Sequence, residues 1–256
     1  MTVTHRSVAA AAALCLTTVL GAGCDLLDAF DNEGSTVVQL LVTHHATPQD
    51  GMFPDLAAGA ADQRTFDTDD GWNIILTSAY VTTSHATLEG CNGTSIDFDP
   101  FWGQLPENMG NADLDLLSFA SVEVQASTFC SMTVEYGPFT STEGNHQMGA
   151  DGDKIKGATY YMRGVAQKDG VSVPFEFSGN DTVVVDLDLS SVMSGRPLTI
   201  NAEEAFPVDL TLSKTYDRFF DGIDFADFDP QDVHGNIVAM LELETRVAFG
   251  TRVAAE

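Results

Sequence analysis

Gln167-Lys168-Asp169-Gly170-Val171-Ser172-Val173-Pro174-Phe175-Glu176-Phe177-Ser178 is the stretch that decides the fold class. Val171, Val173, Phe175 and Phe177 alternate with Ser172, Pro174 and Glu176, so a strand gathers the apolar side chains on one face. Asp169-Gly170 suits a two-residue hairpin turn, in which both central residues take positive φ. Residues 155–167 and 171–178 therefore read as a hairpin. Pro174 has no N–H to give to a neighbour, which assigns its strand to an edge or a bulge.

The same alternation recurs on both sides. In residues 36–45, Val38, Leu40, Val42 and His44 share one face, while Gln39, Thr43 and His45 share the other. This predicts a half-buried strand with His44 at the rim of the core and His45 toward water. Residues 72–83 read as a long central strand, with Trp72, Ile74, Leu76 and Tyr80 on one face and Ile75, Ala79 and Val81 on the other; it ends near His85. Strands follow at 118–125 and 128–136, and Cys130, Met132, Val134 and Tyr136 line one apolar face of the second. Residues 182–189 and 206–212 alternate again. Helical signals come late. Ser213 can cap a short helix that stops at Gly222, and Asp229-Pro230 offers an N-cap followed by proline at the first helical position. Val233, Ile237, Met240 and Leu241 then recur at helical spacing, with a strand over 237–249 as the competing reading. The expectation is an all-β protein, an antiparallel β-sandwich with one or two short C-terminal helices. A β-barrel is the second choice. Residues 46–70 and 97–112 are long connections, 57–61 can form one helical turn, and 137–153 is a polar loop holding His146 and Met148.

The N-terminus gives the address. Arg6 precedes residues 8–20, a run without charge. That run is shorter than the ~20 residues a membrane-spanning helix needs, and it suits a secretory signal. Leu20-Gly21-Ala22-Gly23-Cys24 resembles a bacterial lipobox, which implies cleavage before Cys24 and acylation of its thiol. The branched residue usual three places before the cysteine is Gly21 here, so a plain signal peptide is the alternative. Residues 1–23 are then the signal peptide, 24–35 an acidic tether and 36–256 one sandwich domain. The chain carries 38 acids against 11 bases; without Arg6 the balance is 38 against 10, a net −28. Such a charge repels nucleic acid and anionic lipid. Beyond Cys15 and Cys24, Cys91 and Cys130 have only each other, and an oxidising compartment predicts a disulfide between them.

Four further stretches stand in a suggestive order. Phe66-Asp67-Thr68-Asp69-Asp70-Gly71-Trp72 opens the long strand and Asp115-Leu116-Leu117 precedes the Cys130 strand. Gly164-Val165-Ala166 precedes the hairpin turn, and Phe219-Phe220-Asp221-Gly222-Ile223-Asp224-Phe225 follows the last strand. Together they resemble exported lipoproteins of myxobacteria and related bacteria whose fold is similar to the MbnP-like copper-binding domain. The resemblance covers most of residues 36–245. It implies copper handling, with Cu(I) held through histidine near a modified tryptophan. The family's histidine-bearing segment by its last strand reads Asp209-Leu210-Thr211-Leu212-Ser213-Lys214-Thr215-Tyr216 here, without histidine.

Neutral imidazole suits copper and zinc, and a thioether suits Cu(I). His44, His85 and the pair His146 and Met148, two apart on one side of an extended backbone, are the candidate copper ligands if they converge at one end of the sandwich. Asp67, Asp69 and Asp70, and Asp221, Asp224, Asp227, Asp229 and Asp232, offer hard oxygens for calcium, though neither run has EF-hand spacing. His234 is expected in solvent, Trp72 in the core and Trp102 in loop packing. No nucleophile elbow, zinc-protease helix or phosphate loop is present, so an enzyme is not expected. The preferred reading is a lipid-anchored extracytoplasmic binding protein for copper, serving storage, delivery or sensing with an envelope partner. The alternative is a metal-free surface module that engages a protein or glycan through 46–70 and 97–112.

Overall fold

A computed structural model describes residues 35–56, 63–140, 152–201 and 207–253. The strands are β1 (Ser35–His45), β2 (Arg64–Asp67), β3 (Asn73–Gly90), β4 (Ser95–Asp97), β5 (Asp99–Pro100), β6 (Leu105–Asn108), β7 (Leu117–Gln125), β8 (Ser127–Tyr136), β9 (Tyr160–Lys168), β10 (Val171–Gly179), β11 (Val183–Asp188), β12 (Leu198–Ile200), β13 (Val208–Thr215) and β14 (Thr245–Phe249). A helical turn α1 (Gly152–Ile155) and a helix α2 (Pro230–Glu244) accompany them. The first sheet has the order β14-β13-β1-β7-β5. The second has β10-β9-β3-β8-β11, with β2, β4 and β6 on β3 and β12 on β8. Neither closes on itself, so the fold is the all-β sandwich and not the barrel.

The hairpin is where the sequence puts it. Asp169 and Gly170 both take positive φ, and β10 pairs with β9 from Val171↔Lys168 onward. β10 is an edge strand, which accommodates Pro174. One pair departs from the antiparallel rule: β1 runs parallel to β13, from Val38↔Val208 to His45↔Thr215. The long crossover between these two strands lets them run the same way.

Bulges change which side chains face inward. The β3–β9 register shifts between Leu76 and Ser78. One extra residue reverses the side chains that follow, until a further shift between Thr83 and His85 turns Ala86 and Leu88 back to the core. Ile74 and Leu76 face the core before the shift; Ala79 and Val81 face it afterwards, where alternation had put them on the other side. Tyr80 turns outward into a second cluster with Phe139, Ile155, Ala158 and Tyr161. Another bulge, opposite Gly90, lies in β8. There Phe129 takes the inward place and Cys130 is exposed, not buried as the apolar face of its strand predicted. Cys130 still pairs with Cys91, Cα to Cα 5.0 Å, at the rim of the second sheet.

Other expectations also change. Strand β13 continues through Ser213 to Thr215, and a 3-10 turn over Tyr216–Phe220 replaces the predicted short helix. Residues 97–112 contain β5 and β6. Helix α2 forms as its cap predicts: Asp229 accepts from the Gln231 N–H at 2.8 Å and Pro230 starts the helix. It buries Val233, Ile237 and Leu241, and hands over to β14 at Thr245, which divides the segment read alternatively as one strand. The segment after the 3-10 turn fills the core from one end. Phe225 lies 5.6 Å from Trp72 and 5.2 Å from Phe175, ring centre to ring centre. Trp72 is thus a core residue, as expected. The turn predicted at 57–61 and the loop tip with His146 and Met148 lie outside the described residues, as do Cys24 and the leader.

Candidate functional site

The inner face of the first sheet is apolar until its last row. Val38 lies beside Val208, Leu40 beside Leu210 and Val42 beside Leu212; the next pair is His44 and Lys214, with Thr245 beyond. A polar row at the end of an apolar face must find partners across the sandwich. Glu107 supplies them from β6. His44 Nδ1 lies 2.8 Å from Glu107 Oε1, and Lys214 Nζ lies 2.5 Å from Glu107 Oε2. Glu107 and Lys214 are both wholly buried. Burial opposes the charge on Glu107, but the adjacent Lys214 and the bond from His44 outweigh it and hold the carboxyl down at about 2. Burial likewise opposes the Lys214 charge, and Glu107 more than offsets it, so that pKa is raised. The Tyr136 ring covers Lys214 Nζ at 5.5 Å, and its hydroxyl meets Thr245 Oγ1 at 2.9 Å.

The network extends beyond His44. Its Nε2 lies 3.2 Å from the Asn111 carbonyl and 3.8 Å from Asp113 Oδ1. Arg64, buried in β2, binds the Gly110 and Asn111 carbonyls and lies 3.4 Å from Asp113. Tyr216 donates to Asp113 Oδ2 at 3.1 Å, and burial with that carboxylate pushes its phenol up. Sequence reading had placed His44 at a rim. The structure puts it 1% exposed inside this cluster. Lys214 was legible, because it follows Val208, Leu210 and Leu212 in phase. Glu107, Arg64 and Asp113 carried no periodic signal, being in short strands and turns.

The other histidines go elsewhere. His45, expected in water, is buried: its Nδ1 donates to the Ala46 carbonyl at 2.9 Å and its ring meets Phe53 edge-on at 4.8 Å. Burial lowers its pKa. His85 is mid-strand on the outer face of the second sheet, with a side chain 44% exposed, 3.3 Å from Asp97. The strand does not end there but runs on to Gly90. His44 and His85 are therefore not brought together; β3 stands between them. His234, expected in solvent, sits between Tyr160, whose hydroxyl is 2.7 Å from Nδ1, and Asp181, 2.7 Å from Nε2. Burial and Asp181 push the Tyr160 phenol up to about 12.

Among the described residues, no three His, Cys, Asp or Glu side chains come together to hold a metal. The two acidic runs proposed for calcium do meet, but as mutual caps. Asp221 Oδ1 accepts the Asp69 N–H at 3.3 Å, and Asp69 Oδ1 accepts the Gly222 N–H at 2.8 Å. Asp221 also pairs with Arg218, and Asp229 caps α2.

At the β5 edge of the first sheet, Phe101 is 44% and Trp102 63% exposed, against the expectation that Trp102 packs into its loop. Leu114 and Leu116, on the connection leading into β7, are exposed as well.

No family model matches the chain, and no curated protein does either. One solved structure is weakly similar. MbnP from Methylosinus trichosporium shares 11% identity over 84% of this chain and 99% of its own, at a TM-score of 0.38.

Proposed function

We propose that this chain is a non-enzymatic, lipid-anchored binding protein that works outside the cytoplasm and engages a protein or glycan through its β5 edge. The exposed pair Phe101 and Trp102 carries the reading. Large aromatic side chains left in water at a sheet edge offer flat apolar area with little rotamer entropy to lose, which suits recognition. The disulfide Cys91–Cys130 supports the compartment, since exposed disulfides persist where thiols are not kept reduced. The resemblance of Leu20-Gly21-Ala22-Gly23-Cys24 to a lipobox supports the anchor, and the acidic composition supports a partner other than nucleic acid.

Copper is the second reading, on narrower ground than the sequence offered. His44 has both ring nitrogens engaged and no access to solvent. A copper site would draw on His85 and on His146 and Met148, whose softness suits Cu(I).

The test is a photo-crosslinker at position 102 in the full chain, expressed in its native envelope, compared with one at Val184, which is also exposed. A discrete adduct from 102 alone supports the edge, and equal labelling from both positions retires it. Loading the same protein with Cu(I), Zn²⁺ and Ca²⁺ tests the metal reading, which substoichiometric binding of all three ends.

A further inference from the structure

We propose that Lys214 and Glu107 condense to form an amide that staples the two sheets together. Lys214 belongs to the first sheet and Glu107 to the second, and both face the space between. Nζ and Oε2 are 2.5 Å apart, yet neither atom has a hydrogen-bond partner at that separation. The amine thus meets the carboxyl group off the direction a hydrogen bond takes. Water has no access to either side chain.

The chemistry balances without a co-reactant. One proton passes from the Lys214 ammonium to Glu107 Oε2 across the contact, leaving a neutral amine and a neutral acid. This is the minor state of the ion pair, from which the reaction starts; burial lowers its cost but does not make it the resting form. The Nζ lone pair then forms a bond to Cδ, and the carbonyl electron pair moves onto Oε1. His44 Nδ1–H, 2.8 Å away, stabilises that oxyanion as a fixed donor. When the carbonyl re-forms, Oε2 departs with a second proton from Nζ, as water. An ammonium and a carboxylate have become an amide and one water, with net charge unchanged. Two groups held in contact react as though each were present at an effective concentration of ~10⁵ M or more. Tyr136, over the ammonium, confines Lys214 to this pose.

Peptide mapping of the purified full chain by tandem mass spectrometry, after reduction of the disulfide, reads the bond directly. The expected result is a branched peptide joining Lys214 to Glu107, lighter by one water than its two parts, with no tryptic cleavage after Lys214. Glu107→Gln should form the same link with loss of ammonia, and Lys214→Met should form none. Recovery of the wild-type Lys214 peptide with a free amine, labelled by an amine reagent after denaturation, overturns the proposal. That outcome leaves the reading of the β5 edge untouched.

Discussion

His44 and His85 lie on opposite sides of the second sheet, the first in the space between the layers and the second on the outer face. Packed sheets stand about 10 Å apart, far beyond the ~2 Å of a metal–nitrogen bond. The two therefore do different work, and their alanine variants should separate. His44→Ala strips Glu107 Oε1 and the Asn111 carbonyl of a buried partner, at a cost of about 1–3 kcal/mol. His85→Ala removes an exposed contact to Asp97 and should stay within about 0.5 kcal/mol of wild type. Urea unfolding of both variants measures the difference; equal stabilities would contradict the assignment of faces.

The disulfide sits outside the apolar core, so its contribution comes from the unfolded chain. Cys91 and Cys130 are 39 residues apart. Closing such a loop is worth about 4 kcal/mol in the chain-entropy model. Both cysteines are exposed, so a reductant should reach the bond in the native protein. Replacing both with serine should cost up to this amount and leave the fold intact, because neither sulfur fills core volume. Circular dichroism and denaturant midpoints on the variant check both parts.

Asp217 gives a pH dependence of known sign. Burial raises its carboxyl above the ordinary 3.8, although the Thr47 N–H and hydroxyl both donate to its Oδ1. A carboxyl with a raised folded-state pKa binds its proton more tightly when folded. Its contribution to stability is complete below 3.8 and is lost as pH rises through the folded value. An asparagine at this position keeps an oxygen for Thr47 and carries no charge. Asp217→Asn should thus gain on wild type as pH rises from about 4, by a margin that levels off at neutral pH. Thermal melts of the pair across that range would refute this if the margin narrowed instead.

How much of this could be read from the chain depends on where the physics is local. Strand positions and the 169–170 turn follow from alternation and from Asp-Gly, and both are present in the fold. The cap of α2 needs only Asp229 and Pro230. The bulges leave no compositional trace, because an extra threonine or cysteine in a strand looks like any other residue. Yet they decide that Ala79 and Val81 face the core and that Cys130 does not. The polar cluster was half legible: Lys214 is in phase with the core residues of β13, while Glu107 is assigned by pairing with Val81 on β3. The parallel β1–β13 pair is a property of topology, which periodicity does not encode.

Gly164, one of the residues on which the family resemblance rested, has a steric reason that can be tested. A Cβ there would stand 2.4 Å from the Ile75 carbonyl oxygen and 2.7 Å from Phe175 Cζ. The first obstacle is backbone in the paired strand β3, beside the bulge, and cannot rotate away. The second is a ring already packed against Phe177, Phe220 and Phe225. Gly164→Ala should therefore destabilise by about 1–3 kcal/mol, the usual cost of overpacking a filled core. Gly170, with open space around its Cβ position, is the control for crowding. Gly170→Ala should lose stability only through its positive φ, about 1–2 kcal/mol. Removing the Phe175 ring tests the source of the strain. With the backbone oxygen as the main obstacle, Gly164→Ala should cost nearly as much in a Phe175→Ala background as alone. A double-mutant cycle on denaturant midpoints decides this, and full relief by the small residue at 175 would assign the strain to the ring.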